Sequence, residues 1–102
     1  MKNSKSVLSV KFNSTHSPSE LMSVCESDLG LFKKVAGLIQ KYYIIEEVSG
    51  ALSGLYFFES KADRVAFLAS DLAKGIPARY GVIPDTLRIE EYDTAITLNS
   101  AA

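Results

Sequence analysis

Two adjacent runs in the middle of the chain, Leu38–Ile45 and Ala51–Phe58, limit most strongly what it can fold into. Both are rich in β-branched and aromatic residues, and Ser49-Gly50 supplies a turn between them, so the stretch reads as a β-hairpin. Neither arm alternates cleanly between apolar and polar. Tyr42 and Ile44 point to one face, Tyr43 and Ile45 to the other. Leu55 and Phe57 oppose Tyr56 and Phe58 in the same way. A sheet that is apolar on both faces has to be covered on both. The chain offers two good helical patterns, enough for one face. The other face calls for a second subunit or a ligand.

The first helix is announced by Ser17-Pro18-Ser19-Glu20, a capping box with proline at the first helical position, and is predicted to run from Pro18 to about Lys34. Leu21, Val24, Cys25, Leu29, Leu31, Phe32 and Val35 share one broad stripe. Asp28 falls inside that stripe, and Gly30 weakens the helix just beyond it. The second helix starts at the Ser60–Asp63 capping box and is predicted over Lys61 to Lys74. Its expected buried face is Ala62, Val65, Leu68, Ala69, Leu72 and Ala73, with Phe67 on the other side among polar residues, where it would meet a partner or form a lid. Ala78-Arg79-Tyr80 adds a short helical turn. Ser6–Phe12 and Thr86–Asp93 read as the first and last strands of the chain. Ala95, Ile96 and Leu98 make the tail after Asp93 apolar enough to dock or to add an edge strand.

The order is strand, helix, strand, strand, helix, strand. With right-handed crossovers this is the ferredoxin-like βαββαβ arrangement, an α+β fold with two helices on one face of a four-stranded antiparallel sheet. A chain of 102 residues is read as one domain over 1–102, with its core at about 5–95 and its tail at 94–102. A net charge of −1 leaves no footprint for nucleic acid. The apolar runs are too short to span a membrane, and residues 1–6 lack the apolar stretch of a signal peptide, so a cytoplasmic protein is expected. One cysteine, Cys25, and one histidine, His16, argue against a disulfide framework or a metal site. Cys25 reads as inert packing.

At this point the chain resembles monooxygenases of the YdhR type, within the dimeric α+β barrel superfamily that includes antibiotic-biosynthesis monooxygenases. Gly37-Leu38-Ile39-Gln40-Lys41-Tyr42-Tyr43 is similar to that family's second strand, and Gly54-Leu55-Tyr56-Phe57-Phe58-Glu59-Ser60 to its third strand and helix start. The order of elements through Val65-Ala66-Phe67-Leu68 to Glu90-Glu91-Tyr92-Asp93 completes the likeness. It implies a homodimer joined through the open sheet face and a cavity between sheet and helices. It also implies oxidation of a small aromatic or polyketide-like molecule by dioxygen, with no cofactor. The chain departs from the pattern in having no Trp: Gln40 and Tyr43 stand where such chains often carry one. Its second helix lacks the histidine of the haem-degrading relatives.

Candidate site residues follow from residue type and placement. Asp28, if buried, has a raised pKa and can act as a base; if the helix bends at Gly30, it is solvated instead. His16, in the loop before the first helix, titrates in the useful range or is an ordinary loop histidine. Lys41 is either a pocket cation that steadies a phenolate or enolate, or an interface lysine. Tyr42, Tyr43 and Tyr56 line a cavity for an aromatic substrate or pack in the core or dimer. Arg79, with Tyr80 and Arg88, can bind an acidic or carbonyl group at the cavity mouth, while Arg88 can instead pair with Glu90 or Glu91 across the dimer. The expected function is a cofactor-independent monooxygenase. The alternatives are a non-catalytic barrel dimer that binds a small apolar ligand, and an isomerase of the same superfamily.

Overall fold

Four strands build the sheet: β1 (Ser6–Phe12), β2 (Leu38–Ile45), β3 (Leu52–Phe58) and β4 (Arg88–Asp93). The computed structural model describes residues 3–99; residues 1, 2 and 100–102, assigned above to the domain ends and tail, lie outside the described residues. The spatial order is β2-β3-β1-β4 and every neighbouring pair is antiparallel. This is the α+β, ferredoxin-like arrangement with the helices on one face.

The strict alternation of β1 decides which face meets the helices. Ser6, Leu8, Val10 and Phe12 are buried, whereas Val7, Ser9 and Lys11 are only partly covered. The register carries that division across the sheet. Val10 lies opposite Gly54 and Leu8 opposite Tyr56, while Tyr56 faces Lys41 and Gly54 faces Tyr43 on β2. Residues directly opposite share a face. Lys41, Tyr43, Gly54, Tyr56, Leu8 and Val10 therefore all look toward the helices. Val7, Leu55, Phe57, Tyr42 and Tyr92 look the other way. A bulge between Leu38 and Gln40 starts β2.

Helix α1 spans Pro18–Phe32, and its capping box forms as expected: Ser17 Oγ accepts from the Glu20 amide and Glu20 Oε1 accepts from the Ser17 amide. The helix does not break at Gly30; it ends two residues after it. Leu21, Cys25, Asp28 and Phe32 are buried, a stripe at i, i+4, i+7 and i+11. Leu29 and Leu31, expected on the stripe, are about half exposed.

The second helical region differs from expectation. Helix α2 covers only Lys61–Leu68; Ser70 then caps a separate turn, α3 (Asp71–Lys74), which is followed by α4 (Ile76–Arg79). Ser70 Oγ accepts from the Ala73 amide and donates to the Phe67 carbonyl, which closes α2 and restarts the chain. The break also shifts the buried face. Arg64 and Phe67 point inward, while Ala62, Val65 and Ala69 are exposed. Phe67 is 3% exposed and packs against Tyr56, Phe58 and Phe32, so it is a core ring and not a lid. Arg64 reaches Ser6 Oγ at 2.8 Å and pairs with Glu91 at 3.1 Å, so Glu91 has its cation within the chain.

A short 3-10 turn over Pro84–Thr86 precedes β4. After Thr94, whose amide donates to the Lys5 carbonyl, the described tail forms no strand. Ile96 and Leu98 are 90% and 94% exposed, so within the described residues the tail neither docks nor extends the sheet. No helix among the described residues is long and apolar enough to cross a membrane.

Candidate functional site

The register that turns Lys41 inward puts its ammonium in a box of aromatic rings. Nζ lies 3.2 Å from the centroid of Phe32, 3.8 Å from that of Tyr43 and 4.5 Å from that of Tyr56. It is buried and has no hydrogen-bond partner among the described residues. Three ring faces attract the cation, but they do not replace the water it has lost. Burial therefore pulls the Lys41 amine down to about 7, with the nearby Cys25 and Asp28 working weakly in the opposite direction. A lysine that titrates near neutrality can hold or release a proton at working pH.

Asp28 reaches the same interior from α1 and is 1% exposed. The sequence-based expectation of a raised pKa fails because the carboxylate is fully engaged. Arg79 Nε donates to Oδ1 and Oδ2 at 2.8 and 2.7 Å, and Arg79 Nη2 lies 2.6 Å from Oδ1. Tyr80 Oη donates to Oδ2 at 2.9 Å. These bonds, Arg79's foremost, hold the Asp28 carboxyl below its ordinary range in spite of burial. Asp28 is thus an anchored anion.

Tyr80 continues inward. Its hydroxyl meets that of Tyr43 at 2.6 Å, and the two rings stack at 6.2 Å. Burial pushes the phenols of Tyr43, Tyr56 and Tyr80 well above their usual value, so all three keep their protons. A line of polar groups therefore runs from Arg79 at the surface through Asp28 and Tyr80 to Tyr43 beside Lys41. The space bounded by Tyr43, Tyr56, Tyr80, Phe12 and Ile76 is about 10 Å³, room for roughly one water molecule. Gly54 borders it. A Cβ there would stand 3.0 Å from Tyr56 Cε1 and 3.2 Å from its hydroxyl, so the missing side chain lets the Tyr56 ring lie over the strand. Outside this interior, an open depression of about 130 Å³ between α1 and the α3–α4 segment has the exposed Arg79 and the buried Asp28 and Tyr80 in its lining. A groove of about 290 Å³ runs between the end of α1 and α2, over Phe67 and Leu72.

Of the residues singled out in the sequence, Asp28, Lys41, Tyr43, Tyr56 and Arg79 come together here. His16 does not enter the interior. Its ring bonds the Arg79 carbonyl at 3.0 Å from outside, tying the loop before α1 to the end of α4. Gly81, at φ +61° and crowded by Ser14, Thr15 and His16, makes that approach possible. Tyr42 lies on the opposite face of the sheet, 51% exposed, edge-on to Phe57. Arg88 shares that opposite face, across from Lys11, and so is separate from the Arg79 mouth. Phe32 was legible only as core, and nothing in its spacing announced a ring beneath a cation. Tyr80 was placed at the mouth. Its link to Tyr43 needed the fold. Among the described residues no group of three His, Cys, Asp or Glu side chains could hold a metal ion.

No family model matches the chain, and no curated protein matches it. Solved structures do. A protein of unknown function from Nitrosomonas europaea superposes with a TM-score of 0.73 at 18% identity, over 100% of both chains. SnoaB, a cofactor-independent oxygenase from Streptomyces nogalater, gives 0.72 at 13% identity over 93% of this chain and 97% of its own. The ActVA-Orf6 monooxygenase of Streptomyces coelicolor, solved with nanaomycin D, gives 0.68 at 17% identity over 96% and 94%. At these identities the likeness establishes the fold alone, the one that these three neighbours share.

Proposed function

We propose that the protein is a cofactor-independent monooxygenase that takes a small aromatic or polyketide-like molecule between sheet and helices. The observation that carries this reading is the Lys41 amine, buried in a ring-lined interior without a hydrogen-bond partner among the described residues, where burial pulls it down to about 7. Its neutral form removes a proton from a substrate methylene made acidic by a neighbouring carbonyl or phenol. The resulting ammonium then pairs with the enolate or phenolate. The carbanion reduces dioxygen and forms a C–O bond, the ammonium returns its proton to give a hydroperoxide, and loss of water leaves a carbonyl. The methylene and dioxygen thus become a carbonyl and one water, and the substrate carbon supplies all the electrons. The fold shared with SnoaB and ActVA-Orf6 supports the reading. Asp28 and Arg79 hold Tyr80 and Tyr43 in place; His16 has no part in proton transfer. A substrate larger than water enters by displacement of the α3–α4 segment, whose short turns border both the interior and the outer depression.

The assembly in this reading is a homodimer through the open sheet face. Tyr42, Ile44 and Tyr92 are about half exposed there beside Val7, Leu55 and Phe57, an apolar surface that no helix among the described residues covers.

The test is oxygen uptake with anthrones and naphthols as substrates. The wild type consumes dioxygen, and Lys41→Met loses about 100-fold or more of the rate. A second reading, a ligand-binding dimer without chemistry, is favoured by the full engagement of Asp28, which leaves Lys41 without a second base. Tight binding without oxygen uptake would establish that reading. Turnover without oxygen would point to an isomerase.

A further inference from the structure

The hydrogen bonds around Tyr80 can run in one direction only. An ionised carboxylate accepts and never donates. Tyr80 must therefore give its single proton to Asp28 Oδ2, 2.9 Å away. That proton is then spent, so at the 2.6 Å contact Tyr80 accepts and Tyr43 donates. Tyr43 has in turn spent its only proton, and toward any further group its oxygen is an acceptor. The order would reverse only if Asp28 carried a proton, and the three close Arg79 contacts at 2.6 to 2.8 Å keep it ionised. Lys41 does not use the free lone pairs of Tyr43, since Nζ has no hydrogen-bond partner among the described residues. Tyr43, Tyr56 and Tyr80 border a space with room for roughly one water or one hydroxyl group.

Resting on the reading of this interior as a ligand site, we infer that Tyr80 is a positioning residue that fixes the Tyr43 hydroxyl as an acceptor, so that the site selects aromatic molecules presenting an O–H or N–H donor over those presenting only a carbonyl or ether oxygen. An acceptor-only ligand would set its oxygen against that of Tyr43 with no proton between them, and a buried acceptor pair without a proton is penalised.

The experiment has two arms. In the first, binding of 1-naphthol and of its methyl ether, 1-methoxynaphthalene, is measured by calorimetry on wild type and Tyr80→Phe. The wild type binds the naphthol about tenfold more tightly. In Tyr80→Phe the preference falls to about twofold, because Tyr43 is free to turn its proton toward the ligand. Exclusion of the ether by size alone would survive the substitution and would overturn the inference. In the second arm, which needs no ligand, the ultraviolet resonance Raman difference between wild type and Tyr43→Phe isolates the Fermi doublet of Tyr43, whose intensity ratio separates donor from acceptor phenols. The wild type gives a donor signature, which Tyr80→Phe abolishes; an acceptor signature in wild type overturns the inference whatever the ligands do. Equal binding of both naphthalenes beside a donor signature overturns the selectivity alone. If neither naphthalene binds, the ligand site itself falls, and with it the selectivity, while the Raman result still decides the role of Tyr80.

Discussion

Arg79 grips both carboxylate oxygens of Asp28, with Nη2 2.6 Å from Oδ1 and Nε 2.7 Å from Oδ2. A carboxylate carried inward on an apolar helix stripe is thereby matched by a cation from a turn 51 residues later. The pair fixes α4 against α1 and, through Tyr80, sets the polarity of the interior.

Asp28→Asn should therefore cost about 1–3 kcal/mol of stability, the loss expected when hydrogen bonds to a charged group go; the half-exposed Arg79 keeps the figure toward the lower end. The folded-state pKa of Asp28 lies below its unfolded value of about 3.9. Its contribution is then complete above about pH 4 and is lost as pH falls through the folded value. Urea titrations of wild type and Asp28→Asn at pH 7 and near pH 2.5 should differ at the first pH and converge toward the second. A constant gap would show that the carboxylate charge is irrelevant.

Lys41 has the opposite consequence. Its folded pKa of about 7 lies below an unfolded value of about 10.4, so between these values the unfolded chain binds the extra proton and stability from this group rises with pH. Below pH 7 the buried charge is a full burden. Lys41→Met should stabilise the protein at pH 6 by roughly 2–4 kcal/mol, given about 1.4 kcal/mol per pKa unit and some return from the three rings. Denaturant midpoints from pH 6 to 10 check it: the wild type gains on the substituted protein as pH rises. Parallel curves would place the amine in water.

Phe57→Glu adds a charge to the centre of the open sheet face without touching the helix side. In a homodimer joined by that face it should give a folded monomer, with mass halved by light scattering and the circular dichroism spectrum retained. A wild type that is already monomeric would remove the dimer.

Gly37 is held at φ +74°, with the Asp63 carboxylate occupying the place of a side chain. Gly37→Ala should displace Asp63 from Ser60, weaken the start of α2 and lower stability by about 1–3 kcal/mol. Gly30→Ala, at an exposed helical position with open space around it, should raise stability by a few tenths to about 1 kcal/mol in the same thermal melts.

Strand order and helix starts were legible because they rest on local rules: alternation in β1, and the capping boxes at Ser17 and Ser60. The phase of the second helix was not. Reading 61–74 as one helix averages two frames, and Ser70 interrupts it, so Phe67 and Arg64 exchange places with Val65 and Ala69. The site was half legible. Asp28 stood out as a carboxylate on an apolar stripe, but its pKa depends on Arg79, which no sequence spacing connects to it. Lys41 and Tyr43 differ from Tyr42 by register alone, and the register of a hairpin apolar on both faces has no alternation to fix which side turns inward.

The proposed oxygenation requires Lys41 to be a buried amine able to serve as a base near neutral pH. A nitrogen-15 NMR titration of lysine-labelled protein, with Lys41 assigned by its absence in Lys41→Met, measures this directly. The predicted midpoint is about 7. A midpoint near the ordinary lysine value of about 10.4 would rule out such a base, and with it the proton-abstraction step of the proposed oxygenation.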